Sequence, residues 1–338
     1  MAGWRVENVA SAGILHAAAA GDHGVAWGCG ILVQGDGRPF ATLIFRRHGR
    51  GWEQVAAPQI GRVNRALAVS DADIWAVGDG CSLHWDSSRW HNVPTAVIEG
   101  SEPQFFGLAQ FGADEVWTAG FAPVRGYSQA RGTVQRWDGS GWTDLPMPAV
   151  AAFWSLSGIA GASPQDVWAV GRVHGQRSDP LALHWDGQQW QRVPVPGVEG
   201  RSIQLSDIAV LGTGDAWAAG YTWDSGGIRT RQPFAAHWDG QAWATGEVPG
   251  GPAQITQLAS DGKKLWGLGY AVPVAPYVAA LQGTSWQVIP GPPGPPEATR
   301  TALHGGTILS DGNLLAVGAS SIPDHSSRPF AAVLTSHP

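Results

Sequence analysis

The sequence has few charged residues, very few lysines and only two cysteines. Charged residues make up 14% of the 338 residues, and the only lysines among 21 basic residues are Lys263 and Lys264. With a net charge of −6, the chain offers no broad basic surface, so we predict no nucleic-acid partner. Cys29 and Cys81 lack the spacing of a metal site or a disulfide framework. We expect no metal and no other cofactor.

Long apolar segments are also missing. No run approaches the roughly 18–20 residues that a transmembrane helix needs. The first residues lack the charged and apolar regions of a signal peptide. These absences predict a cytoplasmic protein that has no membrane partner.

Tryptophan, glycine and proline are abundant, with 19, 47 and 24 copies. Each tryptophan ring buries roughly 150–250 Å² in a folded protein, so this many rings require a large buried surface. Glycine and proline mark turns. The combination indicates many short strands rather than helices.

A tryptophan followed three residues later by a glycine recurs at intervals of 42 to 51 residues. Leu315 replaces the tryptophan in a seventh copy. A second motif of the type "HWDGQQW" follows the first motif in several repeats. The tryptophans of the first motif are Trp27, Trp75, Trp117, Trp168, Trp217 and Trp266. The second motif occupies residues 84–90, 136–142, 184–190 and 237–243.

Each repeat divides into four strands, which we name a to d. An apolar segment forms strand a, "VWAVG" forms strand b, "LALHW" forms strand c, and "WQRVP" forms strand d after a tight "DG" turn. The seventh repeat reaches strand c at "FAAVLTSHP", whereas the chain begins with "GWRVENVA", which matches strand d. We predict that Trp4 takes the seventh strand-d position and that the N-terminal strand closes a ring.

Seven such units predict an all-β protein: one seven-bladed β-propeller over residues 1–338, with four antiparallel strands per blade. The "WDGxxW" turns resemble Asp boxes, and "VWAVG…HWDG…W" is similar to tectonin-type repeats of the β-propeller superfamily. This resemblance implies the fold and no catalytic residues, because both motifs are structural. Kelch proteins share the architecture, but their diglycine is missing from strand b. The predicted blades are 11–58, 59–95, 101–148, 150–196, 200–249, 252–290, and 298–338 with 1–10.

Residues that recur in one column of the repeat are expected to build the blade. Seventeen of the tryptophans stand in such columns, and only Trp154 and Trp223 do not. The histidines before the strand-c tryptophan and the aspartates after it also recur. Three arginines precede "PFA" segments and are interpreted as architectural: Arg38, Arg231 and Arg328.

The b–c and d–a connections vary in length and are expected on one face, which we call the variable-loop face. Loops of this kind on a rigid scaffold often carry function. Both unmatched tryptophans fall on this face, so we predict an aromatic-walled pocket over blades 4 to 6. The alternative is that both rings merely cover loops. The pocket residues are Trp154, Tyr221, Trp223 and Tyr270, with Arg177, Asp179, Gln204, Asp224, Arg229 and Gln257.

Strand a of every blade is expected to line a central channel. Apolar residues three apart in these strands ("LSDI", "ITQL") predict a bulge or bend. We predict His16, Arg65, Asp207 and His304 as candidates for acid, base or charge stabiliser. The alternative is a structural ion pair or a water-filled channel. Further polar candidates are Asn64, Gln104, Ser155, Ser157, Gln204, Gln254 and Gln257.

Three functions remain open from the sequence. The first is a monomeric binding module that holds one small molecule, glycan or peptide in an aromatic funnel. The second is a metal-independent lyase, cyclase or isomerase of a biosynthetic pathway that uses the same funnel. The third is a lectin-like or protein-scaffold propeller. The loops differ from blade to blade, which favours one asymmetric site over the repeated sites of a lectin.

Overall fold

The repeats fold into four-stranded antiparallel sheets, as their alternating apolar residues predict. In a computed structural model of the protein, the described residues are 3–9, 12–32, 41–112, 114–124, 129–323 and 326–335. Seven such sheets form the blades of a ring, which confirms the predicted all-β seven-bladed β-propeller. The strands are β1 (Gly3–Glu7), β2 (Ile14–Ala20), β3 (Ala26–Leu32), β4 (Ala41–His48), β5 (Gly51–Gln54), β6 (Val63–Ser70), β7 (Asp73–Gly78), β8 (Ser82–Trp85), β9 (Trp90–Asn92), β10 (Gln104–Gly112), β11 (Glu115–Val124), β12 (Gln129–Trp137), β13 (Trp142–Asp144), β14 (Trp154–Ser163), β15 (Asp166–Val173), β16 (Asp179–Trp185), β17 (Trp190–Val193), β18 (Ser202–Gly212), β19 (Asp215–Trp223), β20 (Gln232–Trp238), β21 (Trp243–Gly246), β22 (Ala253–Ser260), β23 (Leu265–Ala271), β24 (Ala275–Gln282), β25 (Ser285–Ile289), β26 (Arg300–Ile308), β27 (Leu314–Ser321) and β28 (Ser327–Thr335).

Each blade takes four strands in chain order, from β2–β5 for blade 1 to β22–β25 for blade 6. Blade 7 contains β26, β27, β28 and, as its strand d, β1. A short 3-10 helix, Gly227–Thr230, lies in the b–c loop of blade 5. The exact blade limits and the division into one domain stay predictions.

The N-terminal strand closes the ring, as predicted. In β1, Trp4 lies opposite Leu334 of β28, which is the relation that Trp90 has to Trp85 in blade 2. The indole Nε1 of Trp4 donates a hydrogen bond to the carbonyl oxygen of Pro290 at 2.7 Å. The closing strand is therefore bound to blade 6 as well as to blade 7.

A buried ion pair that the repeat did not predict joins blades 7 and 1. Arg47 replaces the strand-c tryptophan of blade 1, and its Nε and Nη2 each donate to the Glu7 carboxylate at 2.7 Å. Both residues are 5% exposed. Trp52 Nε1 donates to the same carboxylate at 3.0 Å. Burial alone would raise the pKa of Glu7, but the hydrogen bonds from Arg47 and Arg5 outweigh it and hold the pKa below its ordinary value.

We expect Glu7→Gln to lower the free energy of unfolding by about 2 kcal/mol, because it leaves a buried guanidinium without its anion. Urea denaturation followed by tryptophan fluorescence measures the loss. Glu53→Gln changes an exposed carboxylate on neighbouring β5 and is the matched control. An equal effect of the two substitutions would show that the pair does not stabilise ring closure.

Tryptophans fill the interfaces between successive blades. At the interface of blades 1 and 2, the strand-b Trp27 packs against Trp85 and Trp90 with ring centroids 4.8 and 5.3 Å apart. The same trio recurs at the next three interfaces. Edge-to-face and tilted aromatic pairs of this kind stabilise more than their buried area alone. This packing explains the tryptophan columns of the sequence.

The recurrent histidines also have structural contacts. His84 stacks on Trp75 with centroids 4.4 Å apart, and its Nε2 lies 2.8 Å from the Asp73 carboxylate. Blades 4 and 5 repeat this arrangement with their own histidine, tryptophan and aspartate. Arg328 pairs with Glu297 at 3.4 Å, and Arg38 lies outside the described residues.

The glycine of the first motif is required by the path of strand a. At Gly220 an added Cβ would lie 1.9 Å from the carbonyl oxygen of Gln204. The seven equivalent glycines have the same contact at 1.8–2.0 Å. Strand a approaches strand b this closely beside a bulge. In every blade the bulged residue directly follows the strand-a residue that pairs with this glycine, as Ser206 follows Leu205. The seven glycines are Gly30, Gly78, Gly120, Gly171, Gly220, Gly269 and Gly318.

Candidate functional site

The bulges place seven residues in a ring around the channel. In blade 5, Leu205 pairs with Gly220 and Asp207 with Ala219, so Ser206 between them has no partner on strand b. The register shifts at the same position in the other six blades, which is the bulge that the spacing of apolar residues predicted. The ring comprises His16, Asn64, Phe106, Ser157, Ser206, Thr256 and His304.

All seven ring residues line one cavity of about 570 Å³, which we call the upper cavity. Strand a begins at the variable-loop face, and the ring lies near its start, so the upper cavity occupies that end of the channel. The blade interfaces repeat almost unchanged, but the ring contains five residue types in seven blades. Further lining residues are Arg62, Arg65, Gln204, Tyr221, Gln254 and Gln257.

The structure brings together eight of the eleven channel residues predicted from the sequence. Gln104 and Ser155 are outside the lining of the upper cavity, and the Ser155 hydroxyl lies 2.9 Å from His174 Nε2 instead. Asp207 lies beneath the cavity. The eight lining residues are His16, Asn64, Arg65, Ser157, Gln204, Gln254, Gln257 and His304.

An ion pair crosses the channel below the upper cavity. Arg65 of blade 2 donates from Nη1 to Asp207 Oδ2 of blade 5 at 2.9 Å, and their side chains are 16% and 1% exposed. Arg65 and Gln257 line both the upper cavity and a lower cavity of about 330 Å³. The pair therefore lies between the two cavities and partly closes the channel.

Asp207 and Gln257 also connect neighbouring blades. Asp207 Oδ2 accepts from the backbone N–H of Leu258 at 2.9 Å, and Oδ1 accepts from Ile208 N–H at 3.0 Å. Gln257 Oε1 accepts from Gly306 N–H at 3.1 Å, which is the equivalent bond one blade further on. Both oxygens of Asp207 are thus bonded. This arrangement supports the structural alternative for Asp207 and provides no free base.

Two histidines from the first and last blades face each other in the upper cavity. The rings of His16 and His304 are 5.5 Å apart, and Tyr270 lies 6.4 Å from His304. Burial lowers the pKa of His16 to about 3, with His304 and Arg62 contributing, and burial lowers the pKa of His304 to about 4. Both rings are neutral at pH 7. Among the described residues, His16 Nε2 is buried without a hydrogen-bond partner.

These lowered pKa values make stability depend on pH. The unfolded chain protonates both histidines below about pH 6.5, whereas the folded protein does so only near pH 4 and below. Because the unfolded state then binds more protons, the free energy of unfolding should fall as the pH falls from about 6.5 to about 4. Urea denaturation across this range should show a shallower dependence for His16→Asn/His304→Asn. His48→Asn, at an exposed histidine, is the control and should keep the full dependence.

The structure corrects the prediction for Trp154. Its side chain is 2% exposed and belongs to the core between blades 3 and 4. An added Cβ at Gly132 of β12 would lie 2.1 Å from the Trp154 ring, so the indole fills the space that this glycine leaves. Trp154 therefore covers the scaffold and forms no wall of the predicted aromatic pocket.

Six of the other nine predicted pocket residues line two cavities that share no residue. Tyr221, Gln204 and Gln257 line the upper cavity, whereas Trp223, Arg177 and Asp224 line a cavity of about 390 Å³ nearer the rim. The predicted single pocket over blades 4 to 6 is therefore corrected to two.

Three predicted pocket residues lie away from both cavities. Tyr270 contacts His304 but is outside the lining of the upper cavity. Arg229 is exposed at the end of the 3-10 helix, and Asp179 lines a groove of about 240 Å³ together with Arg177.

Asp224 has a local structural role. Its Oδ1 accepts from Gly226 N–H at 2.8 Å, and Oδ2 accepts from Arg201 at 3.1 Å. The hydrogen bonds from Gly226, Thr230 and Arg201 lower the pKa of Asp224, so the carboxylate stays charged and organises the loop.

Several residues of the upper cavity and its wall were not predicted from the sequence. Phe106, Ser206 and Thr256 follow from the bulge column once the register is known. Arg231 was grouped with Arg328, but Gln232 is the true counterpart of Arg328, because Phe234 and Phe330 lie opposite equivalent glycines. Arg231 is one residue earlier and contacts the upper cavity wall. The sequence contains the signal, because Arg328 directly precedes "PFA" whereas Gln232 stands between Arg231 and its "PFA".

The described residues contain neither a metal-binding cluster nor a membrane-spanning helix. No group of three or more histidine, cysteine, aspartate or glutamate side chains in this part of the chain could hold a metal ion. In that same part of the chain, no helix is both long and apolar enough to cross a membrane.

Comparison with known proteins places the fold in context. Neither a protein-family model nor a curated protein matches the chain. The structure of U3-55K matches with a TM-score of 0.64 at 10% identity, over 98% of both chains. The crystal structure of RRP9 WD40 repeats matches with a TM-score of 0.62 at 9% identity, over 98% of this chain and 96% of that one. YCF48 from Cyanidioschyzon merolae gives 0.61 at 12% identity, over 98% of both chains.

At these identities the likeness concerns the fold alone. The chain is a seven-bladed β-propeller with Trp-rich repeats, and WD40 propellers are among the structures it resembles.

Proposed function

We propose that this propeller is a binding module that holds one small polar molecule or short peptide segment in the upper cavity. The observation that carries the proposal is the ring of seven bulge residues. The blade interfaces repeat, whereas the ring that faces the cavity changes from His16 through Phe106 to Thr256. A cavity of about 570 Å³ has the size typical of a small-ligand site, and its many polar groups with two aromatic faces suit a polar ligand.

The test is a thermal-shift screen of the full-length protein against small metabolites, short glycans and peptides. Binding of each ligand that is found is then measured for the Ser206→Phe variant, which places a ring in the upper cavity. Ser260→Phe is the matched control, since Ser260 is a strand-a serine that lines the lower cavity. The proposal predicts that only Ser206→Phe abolishes binding. Equal loss in both variants, or no hit at all, would contradict it and leave protein partners of the variable-loop face as the next candidates.

Trp154 and Trp223 provide a further comparison with the same ligand. Trp154→Ala should lower the melting temperature by several degrees and leave affinity nearly unchanged, because its ring is core. Trp223→Ala should have the smaller effect on stability, because its ring is only partly buried. A loss of affinity with Trp154→Ala at constant stability would contradict this assignment.

A second candidate function is acid–base catalysis on the bound molecule. The observation in its favour is the cluster of His16, His304 and Tyr270, in which His16 Nε2 has no hydrogen-bond partner within the described ranges. A neutral imidazole can accept a proton from a ligand held in the cavity. If the module is an enzyme, His304→Gln should remove turnover of the identified ligand and change its affinity much less. The cytoplasmic location and the monomeric state stay predictions.

A further inference from the structure

Arg231 is held against the wall of the upper cavity. Its guanidinium lies over the Tyr221 ring at 4.5 Å, and its Nη1 donates to Gln254 Oε1. Its carbonyl oxygen accepts from Ala253 N–H at 3.1 Å, which ties the b–c loop of blade 5 to the start of β22. Tyr221 and Gln254 both line the cavity, so the charge of Arg231 is positioned beside it.

Arg172 on β15 is linked to the same wall through Trp223, whose ring centroid lies 5.5 Å from that of Tyr221. Its guanidinium lies over Trp223 at 5.6 Å, and its Nε donates to His174 Nε2 at 3.3 Å. His174 stacks on Phe153 with centroids 4.0 Å apart, which fixes the imidazole. Burial, and next the charge of Arg172, lower the pKa of His174 to about 4, so the ring is a neutral acceptor at pH 7.

Neither guanidinium has a counter-ion in the part of the chain that the structure describes. Eight other arginines there have a carboxylate oxygen within 4.0 Å. Of the nine described arginines that do not, only Arg46, Arg172 and Arg231 are partly buried. Burial lowers the pKa of Arg172; Tyr221 opposes this effect, and the charge of Arg231 adds to it. Two like charges that are partly removed from water repel each other, and an anion between them would relieve this cost.

The charged residues that line the upper cavity are also positive, like Arg172 and Arg231. Its charged members are Arg62 and Arg65, and it contains no aspartate or glutamate among the described residues. Arg65 is neutralised by Asp207, and Asp79 lies 3.9 Å from Arg62. Both lining arginines thus have an acidic partner, and the positive charge beside the cavity that has none among the described residues is that of Arg231 and Arg172.

From this arrangement we infer that Arg172 and Arg231 form an anion subsite that binds a carboxylate or phosphate group of the ligand. The inference rests on the proposed function, since it names the chemical class of the molecule in the upper cavity. Guanidinium groups bind both oxyanions through paired hydrogen bonds. Tyr221, which lines the upper cavity, adds a flat face for a planar body attached to the anion.

Three probes of similar shape test the inference: benzoate, phenyl phosphate and benzamide. Isothermal titration calorimetry with the full-length protein at low salt should show binding of at least one of the two anions. Benzamide, which keeps the ring and lacks the charge, should bind at least about tenfold more weakly. The ratio of the two anion affinities then distinguishes a carboxylate from a phosphate ligand.

Arg172→Gln and Arg231→Gln should each weaken binding of the anion about tenfold and leave benzamide unaffected. Their melting temperatures should stay the same or rise, because the repulsion is removed, whereas a purely structural role would lower them. Arg192→Gln removes an exposed positive charge from blade 4 and is the matched control.

The inference is overturned if benzamide binds as tightly as the anions, if no probe binds, or if both arginine variants keep full affinity. A neutral ligand that Ser206→Phe blocks and Arg231→Gln does not affect would overturn it while the proposed function stands. A full screen without any ligand would overturn both.

Discussion

Gly220→Ala should lower the free energy of unfolding by about 3 kcal/mol or more, which is the upper range for overpacked sites. The added Cβ would lie 1.9 Å from the carbonyl oxygen of Gln204 and 2.9 Å from its carbonyl carbon. These are backbone atoms of strand a, so no side chain can rotate away. Relief requires moving the bulge that places Ser206 in the cavity ring. Guanidinium or urea denaturation measures the loss.

Gly212→Ala is the matched control in the same blade. Gly212 ends β18, and an added Cβ there meets no atom within 4 Å. This substitution should change the free energy of unfolding by less than about 0.5 kcal/mol. If the two substitutions had equal effects, the close approach of strands a and b could not be the reason for the recurrent glycine. Ligand binding should also suffer in Gly220→Ala alone.

Asp207→Ala should have the second large effect, lowering the free energy of unfolding by about 3 kcal/mol, because it removes a buried carboxylate and leaves the partly buried Arg65 guanidinium unpaired. Arg65 Nη1 would lose its acceptor at 2.9 Å, and the Leu258 N–H would lose its acceptor as well. The first loss leaves a charge in the channel, and the second breaks a bond between blades 5 and 6. The measurement is again denaturant unfolding.

The double variant Arg65→Met/Asp207→Asn distinguishes the effect of the unpaired charge from the effect of the lost hydrogen bond between blades 5 and 6. The asparagine oxygen can still accept from Leu258 N–H, and the methionine removes the unpaired charge. It should recover most of the stability, since replacing both partners of a buried pair is often neutral. If the double variant is as unstable as Asp207→Ala, the unpaired charge of Arg65 is not the cause of the instability of the single variant. Ligand binding should also survive in the double variant, because the ring of bulge residues above the pair is unchanged.

Part of the candidate site could be predicted from the sequence. The channel residues His16, Ser157, Gln204 and His304 were found because strand a must face the axis of any propeller. The bulge was predicted from apolar residues three apart, but its exact residue needed the pairing of strand a with strand b. Thr256 and Phe106 were missed for this reason, since a shift of one residue moves a side chain from the channel to the interface.

The positions of the repeat do not predict which tryptophan of the expected aromatic pocket is buried. Trp154 and Trp223 are both exceptions to the repeat, and nothing in the sequence separates them. Trp154 is core because Gly132 of the preceding blade leaves space for its ring. Trp223 stays partly exposed beside Arg172. The difference depends on a neighbour in another blade, which the repeat does not encode.

By itself, the sequence determined the blade count, the four strands of each blade and the closing role of Trp4. These follow from periodic spacing, because each blade buries its tryptophans against the next one in the same way. Only the tertiary structure decided which residues meet across the ring. Glu7 binds Arg47, Arg65 reaches Asp207 at a separation of 142 residues, and Arg231 comes to lie on Tyr221. Such contacts depend on ring closure and loop paths, which bring together residues with no regular spacing along the chain.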